Sequence, residues 1–159
     1  MIAVGYDLFS MIYLGADHGG YQLKEQVKQW LEEWSMPYQD LGAKQLDPED
    51  DYPDFALEVA KQVARAPQHN RGILACRSAA GMVIAANKVK GIRAVAPLTA
   101  TAAQHAREHN DANVLGLSGD WLDTAAAQTV VYSWLTTSFS KESRHQRRLD
   151  KITQYETES

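Results

Sequence analysis

Residues 12–34 read IYLGADHGGYQLKEQVKQWLEEW, and the change of hydrophobic period inside this stretch decides the fold. Ile12 to Ala16 form a short apolar run that stops at a polar, glycine-rich turn, which is how a buried strand reads. Leu23, Val27, Trp30, Leu31 and Trp34 then recur at helical spacing and predict an amphipathic helix over residues 21–34. The alternation continues to the end of the chain. Pro37 precedes a short strand over 38–41, and Phe55, Val59 and Val63 mark a second helix that ends before Pro67. Residues 72–75 read as a buried strand, 82–88 as a short helix and 93–96 as another strand. Thr99 or Thr101 can cap a helix reaching His109, and residues 114–117 are the fifth strand. Val130, Val131, Trp134 and Leu135 mark the next helix; Leu149 and Ile152 mark a final basic one.

Strands that alternate with helices imply a parallel sheet, because parallel neighbours need crossover connections that cover both faces. The expected fold is therefore α/β: a three-layer sandwich with a five-stranded parallel sheet. Ligands of such sheets bind beyond the carboxyl ends of the strands. Asp17-His18-Gly19-Gly20, Cys76-Arg77-Ser78 and Pro97-Leu98-Thr99 all follow strands, so they should share one edge.

Composition narrows the function classes. The 159 residues are 45% hydrophobic and 23% charged, ordinary for a soluble globular domain that buries its own core. No apolar run approaches the roughly 20 residues needed to cross a bilayer, which excludes a helical membrane protein. The single cysteine, Cys76, excludes a disulfide framework and a Cys-rich zinc module. A net charge of -4 argues against a general nucleic-acid binder, which needs a broad basic surface. A cytoplasmic location is expected. Residues 1–10 (MIAVGYDLFS) precede a second methionine and lack a basic n-region and a long apolar core, so they do not read as a signal peptide. They read as an upstream start or an extra arm, and residues 11–159 as one domain.

Four constellations could carry chemistry. In Gly15-Ala16-Asp17-His18-Gly19-Gly20, glycines at a strand-to-helix turn let backbone approach a ligand. The pattern is not G-x-G-x-x-G, which gives a nicotinamide cofactor little support; a tight turn with a capping Asp17 reads equally well. In Cys76-Arg77-Ser78-Ala79-Ala80-Gly81, a thiol before a helix and beside an arginine could have a lowered pKa and act as base or nucleophile. The bland alternative is a buried structural cysteine. His105-Ala106-Arg107-Glu108-His109 fits the inverted zincin pattern, but such a site needs a further ligand and a longer frame. The competing reading is a helix ending in a polar cap that faces the site. Arg144 and Arg148 lie one helical turn apart and could converge on one phosphate. Residues 141–151 hold five basic and two acidic residues, so a solvated basic face is the alternative. The acidic loop over 47–54 is expected to be solvated, without a metal frame.

In order and spacing these motifs resemble the ribose-5-phosphate isomerase B and galactose-6-phosphate isomerase family. The matching pieces are Ala16 to Gly20 with Leu23-Lys24, Asp51-Tyr52-Pro53, Ile84 to Lys88, Gly91 to Ala94, His109 to Leu115 and Arg144 to Arg148. The resemblance implies a Rossmann-like α/β domain without metal or cofactor. It implies a homodimer or homotetramer, with active sites between subunits, that acts on a sugar phosphate in the pentose phosphate pathway. It also implies roles: Cys76 as the base of an enediolate reaction, Ser78 assisting, and His109 opening the sugar ring. Asp17, His18, Tyr52, Gly81 and Asn110 would hold the substrate, and Arg144 and Arg148 its phosphate.

Two departures stand out. The family loop is typically Cys-Gly-Thr-Gly-x-Gly, whereas here Arg77 and Ala79 replace glycines. After the fifth strand the family commonly has Gly-x-Arg, and this chain has Ser118-Gly119-Asp120. Arg77 could clash with substrate or supply a new anion contact, and Asp120 would repel a phosphate unless it turns away. An isomerase of a different sugar or of a tetrose phosphate is therefore a second reading. A catalytically inactive sugar-phosphate binding protein is a third.

Overall fold

The apolar runs and helical stripes become a five-stranded, all-parallel sheet in the computed structural model, which describes residues 11–159. The expectation for residues 1–10 lies outside the described residues. The strands are β1 (Ile12–Ala16), β2 (Tyr38–Asp40), β3 (Arg71–Cys76), β4 (Ala94–Val95) and β5 (Val114–Ser118). The helices are α1 (Tyr21–Glu33), α2 (Tyr52–Ala64), α3 (Ala80–Ala86), α4 (Ala100–Asn110), α5 (Thr124–Thr136) and α6 (Ser143–Glu158). Strand order is β2-β1-β3-β5-β4.

Period-two alternation along the central strands sorts the core into two layers. Ile73 and Ala75 of β3 join Val27, Trp30 and Leu31 of α1 and Val130, Val131 and Trp134 of α5 on one face. Leu74 and Cys76 join Ala56, Val59 and Val63 of α2 and Met82 and Ala86 of α3 on the other. Helices therefore cover both faces, as the sequence predicts. Helix α4 packs along α5, and α6 touches α4 while burying only His145 and Leu149 of its own residues. Thr99, not Thr101, caps α4, its side chain accepting from the Ala102 N–H. Helix α3 starts two residues earlier than its apolar pattern predicts, because Ala79 turns the chain with φ 66°.

Candidate active site

Three loops meet at the carboxyl edge of the sheet, as the α/β rule requires. The first follows β1. Asp17 is buried and its Oδ1 accepts the Gly20 N–H at 3.1 Å, which closes the turn into α1. Burial raises its pKa, and the Gly20 hydrogen bond opposes that rise. A Cβ on Gly20 would lie 2.1 Å from the Ala75 carbonyl, so only glycine lets this turn press against the end of β3. His18 is fixed by Asp50, whose Oδ1 accepts from the His18 backbone N–H at 2.9 Å and lies 2.7 Å from its Nδ1. That hydrogen bond raises the His18 pKa, with desolvation opposing. The other Asp50 oxygen, Oδ2, is buried without a hydrogen-bonding partner.

Asp50 corrects the expectation of a solvated acidic loop: within Asp47-Pro48-Glu49-Asp50-Asp51, this one carboxylate turns inward. Asp17, His18 and Asp50 are also the three groups among the described residues that could share a metal ion, their donor atoms lying within 4.8 Å of one another. The His18–Asp50 hydrogen bond already joins two of them. His105 and His109 belong to no such cluster of three among the described residues.

The second loop follows β3. Cys76 is buried, and its Sγ accepts the Ala79 N–H at 3.1 Å, with the Met82 and Ser78 N–H groups also directed at it. The expectation of a lowered thiol pKa is wrong for this chain. Burial pushes the Cys76 thiol up, the backbone donors only partly hold it down, and the charge of Asp17 adds to the rise. Half-buried Ser78 accepts the Ala80 N–H through its hydroxyl at 3.3 Å. Gly81 lies against Tyr52, since a Cβ there would come within 2.7 Å of the Tyr52 ring.

The third loop follows β5 and is tied to the second. Gly119 and Asp120 donate their N–H groups to the carbonyls of Cys76 and Arg77 at 2.9 and 3.0 Å. The Ser118 hydroxyl donates to the Arg77 carbonyl at 2.7 Å. The two departures from the family pattern prove to be partners: Arg77 Nε lies 3.2 Å from Asp120 Oδ2. Asp120 is thereby neutralised at the rim rather than left facing the site as a bare charge. The Arg77 stem lies over Gly19, where a Cβ would come within 2.3 Å of it.

His109, Asn110, Arg144 and Arg148 are not brought to this edge. Helix α4 leaves the carboxyl edge at Thr99 and returns the chain to the amino edge, where Asn113 O accepts the Gly72 N–H at 2.9 Å. Cys76 pairs with Ser118 at the far end of the same two strands, about 13 Å away at 3.3 Å per residue. The direction of α4 therefore turns the His109 cap away from the carboxyl-edge site of the same chain. At the amino edge His109 lies between His105 and His145, with ring centroids 3.9 and 4.1 Å away. A cavity of about 610 Å³ opens beside it, lined by Glu108, Thr136 to Ser140 and Glu142. Arg144 Nε lies 2.9 Å from Glu142 Oε2 on the exposed face of α6.

Behind the site a charge network fixes the β2 loop. Lys24, only 2% exposed, donates to Asp40 Oδ2 at 2.6 Å, and Lys28 lies 3.1 Å from the same oxygen. Asp40 Oδ1 accepts the Gly42 N–H at 2.9 Å.

A buried thiol, a fixed imidazole and a buried carboxylate lie together beyond the carboxyl edge of a parallel sheet, where α/β enzymes bind their ligands. Residues 12–152 match the family described as Ribose/Galactose Isomerase. The chain is 41% identical over 145 residues to ribose-5-phosphate isomerase B of Mycolicibacterium paratuberculosis, covering 91% of each chain. Its fold superposes with TM-score 0.91 and 39% identity on the Mycoplasma genitalium ribose-5-phosphate isomerase B crystallised with ribulose-5-phosphate, covering 94% of this chain and 98% of that one. The type B ribose 5-phosphate isomerase of Trypanosoma brucei gives TM-score 0.87 at 39% identity, over 93% and 99% of the two chains. The chain belongs to the ribose/galactose isomerase family. No helix among the described residues is long and apolar enough to cross a membrane.

Proposed function

We propose that the chain interconverts an aldose phosphate and its ketose phosphate, with ribose 5-phosphate and ribulose 5-phosphate as the pair. The observation that carries this reading is Cys76, whose sulfur sits at the end of β3 among backbone N–H groups, on the same edge as Asp17 and His18. The Cys76 thiolate takes the proton from substrate C2, and the C–H electron pair becomes the C1–C2 double bond of an enediolate. The carbonyl oxygen takes up the negative charge. Transfer of the O2 proton to O1, with return of the C2 proton from Cys76 to C1, yields the ketose and restores the thiolate. Ser78 and the loop N–H groups stabilise the enediolate oxygens. Asp17, His18, Tyr52 and Gly81 hold the sugar from this edge. A neighbouring subunit brings His109 to open the ring, Asn110 to bind the sugar, and Arg144 and Arg148 to bind the phosphate.

The assay is ribose 5-phosphate isomerisation by the purified protein, with and without Cys76→Ala. Turnover that vanishes in the variant, with fold retained, supports the reading; no turnover by the folded native chain overturns it. A second reading, an isomerase of a different sugar phosphate or tetrose phosphate, is favoured by the Arg77–Asp120 pair at the rim. Turnover of another aldose phosphate but not ribose 5-phosphate would select it.

A further inference from the structure

The amino-edge histidines form a column. His109 lies between His105, one turn earlier on α4, and His145, which comes from α6, with ring planes tilted by 58° and 32°. The outer members differ in setting. His105 is exposed, whereas His145 is 4% exposed and its Nδ1 lies 2.9 Å from the Ser140 hydroxyl. Ser140 is itself tied to α4, because its N–H donates to the Glu108 carbonyl at 3.0 Å. The His145 ring is therefore held from two sides, by packing and by Ser140, and it packs against His109 with a centroid separation of 4.1 Å. Nothing in the proposed chemistry uses it.

We propose that His145 is the positioning residue of His109: its closely packed, Ser140-anchored ring holds the His109 imidazole in the orientation that presents it to the sugar ring oxygen. This rests on the ring-opening role assigned to His109 above. His145 suits the task because it does not compete for the proton. Burial lowers its pKa, and the positive charges of His109, Arg144 and Arg148 lower it further, against Glu142. It is neutral near pH 7, so His109 can carry a proton without a second charged imidazole against its face. A ring free to turn would spend most of its time misaimed, and misplacing a catalytic group by about 1 Å costs up to roughly 100-fold in rate.

The two directions of the reaction separate this role from a structural one. Ribose 5-phosphate rests as a closed ring, while ribulose 5-phosphate is open-chain because its 5-hydroxyl is esterified. His145→Ala should lower kcat on ribose 5-phosphate roughly 10- to 100-fold with little change in KM. Deuterium exchange from solvent into C1 of ribulose 5-phosphate should stay near the native rate, because that step needs no ring opening. His145→Phe, which keeps a flat ring but loses the Ser140 hydrogen bond, should recover part of the loss. Equal losses in turnover and exchange, or a phenylalanine no better than alanine, overturn the proposal. His109→Asn is the reference. A loss there with none in His145→Ala overturns the positioning role alone. No loss in His109→Asn overturns the reading of His109 on which the inference rests.

Discussion

Arg77 and Asp120 stand 43 residues apart in sequence and bind each other across the rim of the site, Nε to Oδ2 at 3.2 Å. Register explains how they meet: β3 and β5 are neighbours, Cys76 pairs with Ser118, and the two loops leave the sheet side by side. Their side chains are 72% and 46% exposed, so the pair contributes at most about 1 kcal/mol to stability. Its consequence is for charge at the rim. Arg77→Ala leaves Asp120 unpaired and should raise KM for a phosphorylated substrate roughly 3- to 10-fold, about 1 kcal/mol. Adding Asp120→Asn to that variant should recover the loss. Steady-state kinetics on the two single variants and the double variant check this, with thermal midpoints expected to move little.

The Cys76 thiol gives the pH profile a direction. Burial raises its pKa above that of a free thiol, so in the unliganded enzyme only a small fraction is thiolate at neutral pH. The profile of kcat/KM reports ionisations of the free enzyme. It should therefore keep climbing as pH rises through the alkaline range. A plateau reached below pH 7 would mean that another group takes the proton.

Lys24 is a buried cation that ties α1 to Asp40 of β2 behind the site. Burial alone would raise the Asp40 pKa, but hydrogen bonds from Lys24, Gly42 and Lys28 reverse this and hold it below the usual carboxylate value. Lys24→Met strands much of that charge. Breaking a buried pair from one side costs about 3–5 kcal/mol, and Lys28, still beside Asp40, should keep the loss near the lower figure. Asp40, with its lowered pKa, contributes stability that is present above the unfolded pKa and lost as pH falls through the folded one. The native chain should weaken in that acid window and Lys24→Met should weaken less steeply, as urea titrations at several pH values would show.

The alternation of periods made the layered sheet legible, together with the edge that carries Asp17 and Cys76. What stayed hidden depends on contacts between distant segments. Lys24 reads as a polar residue beside Leu23 on an amphipathic helix, and it is buried only because β2 delivers Asp40 to it. Asp50 is one of several acidic residues in a row, and no period marks the one that turns toward His18. Arg77 and Asp120 read as two separate anomalies because strand order is not written locally. The placement of His109 was within reach: a helix that starts at the carboxyl edge and ends just before the next strand must finish at the amino edge.

Ala79 tests how this loop tolerates its lost glycine. It adopts φ 66°, ψ -20°, a left-handed conformation that costs a residue with a Cβ roughly 1–2 kcal/mol. Its methyl group is fully buried, worth about 0.8 kcal/mol, and glycine adds roughly 0.5–1 kcal/mol of chain entropy to lose. The gains and losses nearly cancel. Ala79→Gly should change stability by less than about 1 kcal/mol, whereas the β-branched Ala79→Val should lose more than about 2 kcal/mol. Chemical denaturation of both variants measures the contrast.

Cys76 and His109 occupy opposite edges of one sheet, so if both act on one substrate they must come from different copies of the chain. Cys76→Ala and His109→Asn should then each be inactive alone and active together. In a mixed dimer, one site joins the native Cys76 of one copy to the native His109 of the other, and the second site holds both substitutions. After unfolding and refolding an equimolar mixture, statistical pairing makes half the dimers mixed and half of their sites intact, about a quarter of native activity. Mixing the folded variants without subunit exchange should restore nothing. Activity absent from the refolded mixture, with mixed dimers verified by mass spectrometry, would show that the two residues do not share a site.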